Sequence, residues 1–290
     1  MKLSFITDEI TQDFDEAVLF ARQYGMQGLE LRSVEDTPID SIPQNRLTEW
    51  KKQLDDKGLA VSNLASSFYK CGHTDKAVLT EEMEKLKRLL DAADILGCGT
   101  IRGFAFWRQE GLCAAPEELA GLFEAPAKLL RVRRKRLLLE ADPSVNTTNH
   151  KALAKLLKLL DAELFGAIYD PGNDIYDPQK ESPYPEGYEA IAPHMAHVHI
   201  KDAVFRQGQP ECVKIGTGLV DYPGLLSRLI RDGYDGWLSL ETHYRRAAVL
   251  TEEQMRLPQG AAFSAGGKEA MAESADALKE LLRQAAGRTL

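Results

Sequence analysis

The 290-residue sequence predicts a single-domain α/β fold, a parallel (β/α)8 barrel, and three observations predict it. Segments of β-like and helical period alternate eight times, with no linker or low-complexity stretch between them. The length suits an eightfold barrel. The first strand-to-helix turn, "ITDEITQDF", lacks the Gly-rich phosphate loop that marks the competing doubly wound sheet.

The pairs run in order. "KLSFITD" leads into "FDEAVLFARQYG", whose helical spacing stops at a glycine. "GLELRS" precedes "NRLTEWKKQLDDKG", and "LAVSNLASS" precedes "EEMEKLKRLLDAADILG". "TIRGFAF" precedes "EELAGLFEAPAKLLRV", read as one helix, and "RLLLEAD" precedes "HKALAKLLKLL". "LFGAIYD" is followed by a Pro- and Tyr-rich stretch and the short "GYEAIAPHM". "AHVHIKDAV" is followed by a loop over 203–219 and then by "DYPGLLSRLIRDGY". "GWLSLETH" precedes the last helix, "KEAMAESADALKELLRQ".

Composition narrows the partners. A formal net charge of −8, with cations clustered only in "RVRRKR" (131–136), disfavours nucleic acid. That run reads as a solvated helix end, where the dipole favours cations. No apolar run reaches the length of a membrane span. The N-terminus meets acidic residues at Asp8 and Glu9 and reads as a first strand, not a signal peptide. Cys71, Cys98, Cys113 and Cys212 have no C-x-x-C spacing, which points to a reducing, cytoplasmic setting. Homo-oligomerisation is left open.

"AHVHIKDAV" poses the functional question. In a parallel sheet both faces are normally apolar, yet His197, His199 and Lys201 share one side of this strand. A barrel resolves this, because alternate residues point inward and the C-terminal strand ends form the active-site floor. Val198 and Ile200 then face the helices. The neighbouring strands end the same way, with Glu140 in "RLLLE", Asp170 in "FGAIYD" and Glu241 in "WLSLE". Three converging carboxylates repel one another unless a cation joins them. Glu140, Asp170, His199 and Glu241 are therefore candidate ligands for one divalent ion, Mn²⁺, Mg²⁺, Co²⁺ or Zn²⁺; the absence of thiolate argues against a structural zinc.

With "KLSFITDEI", "GLELRS", "LLLEAD", "YDPGN", "HVHIKD", "GTGLVDYPGLL" and "GYDGWLSLETH", the chain resembles the sugar phosphate isomerase/epimerase superfamily with its xylose isomerase-like barrel. The resemblance implies the same four ligands, with the two Glu also forming an acid–base pair across the substrate and His197 behind the ligands. It implies isomerisation or epimerisation of a small sugar, sugar phosphate or keto-acid through an enediolate. The chemistry agrees: such reactions remove a proton beside a carbonyl, which a positioned carboxylate accelerates and a Lewis-acidic ion assists. Glu140 and Glu241 are the expected bases, with Lys201 as an oxyanion or hydroxyl partner. The alternative is a lyase that dehydrates a cyclic polyol ketone such as an inosose. A non-catalytic metal-binding domain and an endonuclease IV-like repair enzyme stand behind both.

Departures matter here. Epimerases of this superfamily often carry a His three residues after the Asp ligand, where this chain has Asn173. The endonuclease's D-x-H after strand seven is missing from "KDAVFRQGQPECVKIGTG". Glu30, Arg102, Trp107, Asn173 and His197 are the substrate-side candidates, with Lys70, His73 and Arg108 in nearby loops; a Glu30–Arg102 core ion pair is the plainer alternative. His243 reads as loop structure, His150 and His194 as surface groups on helices, and "GTG" (216–218) as a turn.

Overall fold

The barrel consists of β1 (Lys2–Phe5), β2 (Gly28–Leu31), β3 (Ala60–Phe68), β4 (Thr100–Gly103), β5 (Arg136–Glu140), β6 (Phe165–Tyr169), β7 (Met195–Ile200) and β8 (Trp237–Leu240). The structure is a computed structural model and describes residues 1–109, 112–256 and 258–289. From β2 to β8 each strand pairs in parallel with the next, and β8 returns to β1 from Lys2↔Trp237 to Phe5↔Leu240. A parallel bridge between Ile6 and Glu30 closes the ring. Closure removes the unpaired edges an open sheet would present.

The main covering helices are α1 (Phe14–Gln23), α2 (Gln44–Lys57), α3 (Lys76–Leu96), α4 (Glu124–Arg133), α5 (His150–Leu157), α6 (Tyr222–Arg231) and α7 (Gly267–Thr289). Their starts are written in the sequence. Asp13, Asp75 and Asn149 each accept a backbone N–H from the first turn of α1, α3 and α5. The outward residues of the strands, among them Leu137, Leu139, Val198, Ile200, Leu238 and Leu240, are fully buried in the layer between strands and helices.

Two expectations need correction. "EELAGLFEAPAKLLRV" is not one helix: it breaks into Pro116–Gly121 and α4. Pro126 has no N–H to give and is tolerated only in a first turn, so a new helix starts just before it. The stretch 203–219 is not plain loop, because Asp202–Arg206 and Gln209–Val213 pair as an antiparallel hairpin. Its two-residue turn is Gln207-Gly208, both at positive φ (52° and 81°), as a type I′ turn requires.

The remaining surface motifs resolve simply. In the basic run, Arg131 pairs with Asp161 at 2.7 Å, Arg133 with Asp91 at 2.9 Å and Lys135 with Asp94 at 3.0 Å. Gly216 and Gly218 of "GTG" donate their N–H groups to Asp202 Oδ2 at 2.9 and 2.8 Å, so the turn's amides are already engaged. All four cysteines are free thiols. Among the described residues, no helix is long and apolar enough to cross a membrane.

Candidate active site

The C-terminal strand ends bring Glu140, Asp170, His199 and Glu241 together, with one ligand-type atom from each lying within 4.8 Å of all the others. His199 is the hub. Its Nδ1 lies 3.0 Å from both Glu140 Oε1 and Glu241 Oε2. Its Nε2 is turned the other way, 3.1 Å from Glu30 Oε1. Glu30 also meets His197 Nε2 at 2.9 Å and accepts from Asn63 Nδ2 at 2.8 Å. An imidazole that donates through Nε2 to Glu30 presents its Nδ1 lone pair to two carboxylate oxygens. A proton on Nδ1 or a cation among these atoms relieves the repulsion; burial pulls His199 down, but Glu30, Glu140 and Glu241 outweigh it and raise the imidazole well above its ordinary value.

Asp170 is oriented by its own backbone. It caps the short helix Pro171–Ile175, and its Oδ1 accepts the N–H groups of Gly172 (2.9 Å) and Asn173 (3.3 Å). Gly172 is required there, since a Cβ would fall 2.7 Å from the Lys201 carbonyl oxygen. Oδ2 is left for the site, where Lys201 Nζ donates to it at 2.7 Å. Lys201 reaches Glu241 Oε2 at 3.2 Å as well, and Asn173 Oδ1 at 3.1 Å.

Two guanidinium groups complete the charge pattern. Arg102 Nη1 donates to Glu140 Oε2 at 3.0 Å and lies 3.5 Å from Glu241 Oε1. Arg32 Nη1 donates to Glu241 Oε1 at 2.7 Å. Burial pushes all three carboxyls up, and the cations answer unequally. Arg102 and His199 bring Glu140 below its ordinary value. Lys201 and His199 bring Glu241 well below. Burial wins at Asp170 despite Lys201, and its carboxyl stays raised. Burial pulls Lys201 down, but Asp170 and Glu241 more than offset it, so the ammonium holds its proton firmly.

This donor set fits a divalent cation. It is rich in carboxylate oxygen with a single imidazole, it is buried, and the imidazole is fixed from behind by a carboxylate, as in many metal-binding histidines.

Above the ligands opens a cavity of about 750 Å³ whose wall includes Arg32, Arg102, Glu140, Asn173, Lys201 and Glu241. Of the substrate-side candidates, Arg102 and Asn173 line it. Glu30 and His197 do not; they lie beneath the floor, tied to each other and to His199. Trp107 is also off the wall, its backbone bridged to Val145. The Glu30–Arg102 pair does not form, because Glu30 serves the two imidazoles while Arg102 serves Glu140 and Glu241. Lys70 and Arg108 line the cavity, Lys70 pairing with Asp142 at 2.9 Å. His73 is off the wall, 3.5 Å from Glu118.

The expectation for His150 is overturned, whereas His243 does lie in the loop after β8. His150 is fully buried, not a surface group. Its Nε2 accepts the Asp170 N–H at 3.1 Å and its Nδ1 lies 2.7 Å from Asp174 Oδ2. His243 is buried too, with Nδ1 2.8 Å from Glu9 Oε1.

Sequence reasoning missed Arg32, Asp8 and Glu9 as a network. Arg32 contacts Asp8 at 2.9 Å and Glu9 at 3.1 Å behind Glu241. A signal existed: Arg32 stands two residues after Glu30 in "GLELRS", so both share the inner face.

The chain is similar to an inosose dehydratase from Klebsiella pneumoniae (strain 342), 25% identical over 218 residues, covering 66% of this chain and 72% of that protein. A D-allulose 3-epimerase from Methylomonas sp. has a similar fold, at TM-score 0.75 and 15% identity over 97% of this chain and 98% of the other. So does the IOLI protein, whose structure holds a zinc atom, at TM-score 0.73 and 15% identity over 98% and 99% of the two chains. The family model described as xylose isomerase-like TIM barrel matches residues 18–281, and the chain belongs to that family.

Proposed function

We propose that the protein is a divalent-metal-dependent isomerase or epimerase of a small sugar, sugar phosphate or keto-acid, working through an enediolate of its substrate. One observation carries the reading. Glu140 and Glu241, from β5 and β8, approach the same imidazole nitrogen at 3.0 Å and share Arg102, at the floor of the cavity. A substrate seated there lies between two carboxylates.

Glu140, Asp170, His199 and Glu241 would hold the ion, which supplies Lewis acidity worth several kcal/mol against developing negative charge. The protein's own groups do the rest. A carboxylate free of its proton takes one from the carbon beside the carbonyl, and the carboxylic acid so formed gives it back to the neighbouring carbon; inversion at the same carbon takes its proton for the other face from the partner carboxyl, which must enter that cycle protonated. Arg102 beside Glu140 and Arg32 beside Glu241 favour the ionised form of whichever carboxylate acts as the base. Lys201 donates a hydrogen bond to a substrate oxygen, and Asn173 orients a hydroxyl.

Dehydration is the second reading, favoured by the similarity to an inosose dehydratase. Both reactions begin with the same proton removal, so the products decide. The test is incubation in D₂O with ketoses, keto-acids and inososes. Isomerase chemistry leaves deuterium on the α-carbon of recovered substrate or isomer, with no product lighter by one water. A stoichiometric dehydrated product gives the case to the lyase.

A further inference from the structure

The chemistry just proposed occupies only the floor of the cavity. Its volume of about 750 Å³ lies in the range that encloses a drug-sized ligand, well beyond what one six-carbon polyol fills. The rest of the wall is mixed in character. The floor is charged throughout, with Arg32, Arg102, Lys201 and the carboxylates. Elsewhere on the wall, among charged side chains such as Lys70, Arg108 and Glu211, stand Ile39 from the loop after β2, Phe104 after β4, and Val249, Leu250, Met255 and Pro258 from the long segment after β8. Ile39 and Phe104 are packed into the protein at 1% and 2% exposure, whereas Val249 is 70% exposed. Phe104 stands beside two cations, with Lys70 Nζ 4.7 Å and the Arg102 guanidinium 5.1 Å from its ring centre.

The apolar side chains of this wall are wasted on a small polyol, whose hydroxyls gain nothing from Val249, Leu250 or Met255. We propose that the natural substrate is a polyol ketone carrying an apolar substituent, of phenyl or short alkyl size, with its carbonyl end on the floor and the substituent against these apolar side chains. The proposal rests on the isomerase or lyase reading for the carbonyl end, and it adds the chemical class of the other end. Sharing one cavity with the floor is the reason these side chains are assigned to the substrate and not to a separate partner.

The test uses matched pairs of probes: D-fructose and an inosose, each with and without an O-benzyl ether. Binding is measured by calorimetry on the full chain, both metal-loaded and chelator-treated. The benzyl members are expected to bind at least about tenfold more tightly than their parents in both preparations, since burying most of a phenyl ring has roughly that effect. The double variant Val249→Asp, Met255→Glu should bring the ratio to within about twofold of unity, with circular dichroism confirming that it is folded. Equal or undetectable affinity across every pair overturns the proposal, and so does a benzyl preference that survives the double variant. Failure of the underlying reading looks different: the benzyl preference is present, yet no member of any pair is turned over by the metal-loaded protein.

Discussion

Glu30 Oε1 lies 3.1 Å from His199 Nε2, so the carboxylate beneath the floor determines which nitrogen of the imidazole faces the ligand cluster. Glu30 and His199 are both fully buried, and no water competes for that contact. Any ion held by these four residues would therefore depend on Glu30, which is not among them and does not line the cavity.

The first prediction follows. The purified protein should carry one divalent ion per chain, and His199→Ala should lose it. Glu30→Gln keeps all four ligands but loosens the imidazole, so metal affinity should fall roughly 10–100-fold. Elemental analysis and competition with a chelating dye check both. Unchanged metal content in His199→Ala would reject the site.

Glu140→Gln and Glu241→Gln retain an oxygen for the ion and remove the base. Each should lower turnover at least about a hundredfold, the contribution of a positioned general base. If both folded variants stay within a few-fold of the parent in steady-state assays and in α-carbon deuterium exchange, the acid–base roles are wrongly assigned.

The Asp142–Lys70 ion pair gives a pH prediction. Burial would raise the Asp142 carboxyl, but Lys70 and Ser144 outweigh it and bring it down to about 2. A folded-state value below the unfolded one stabilises the fold at pH above the unfolded value, near 3.9, and the effect is lost as pH falls towards 2. The parent should therefore exceed Asp142→Asn by about 2 kcal/mol above pH 5, with the gap closing by about pH 2. Denaturant melts across that range are the check; a gap that persists at low pH would contradict it.

His150→Leu should destabilise the fold by about 1–3 kcal/mol, because the Asp170 N–H loses its acceptor and Asp174 its buried partner. A surface histidine would show almost no change in the same denaturant melts.

Much of this was legible in the chain. Strand ends such as "LLLE", "IYD", "HVHIKD" and "LSLE" fix the inward-facing residues by period alone, because alternation in a barrel strand leaves one choice of face. That sufficed to bring Glu140, Asp170, His199 and Glu241 to one level. It could not decide which carboxylate pairs with which cation. Glu30 and Arg102 both point inward, yet His199 and His197 claim Glu30 while Glu140 claims Arg102. Such choices depend on distances across the barrel, between strands far apart in sequence. His150 was misread for a related reason: a helical residue's burial is set by what the neighbouring strand end presents, here the Asp170 N–H. Local period assigned each side chain to a face, and only the closed ring, by bringing buried charges to between 2.7 and 3.5 Å of one another, decided their partners.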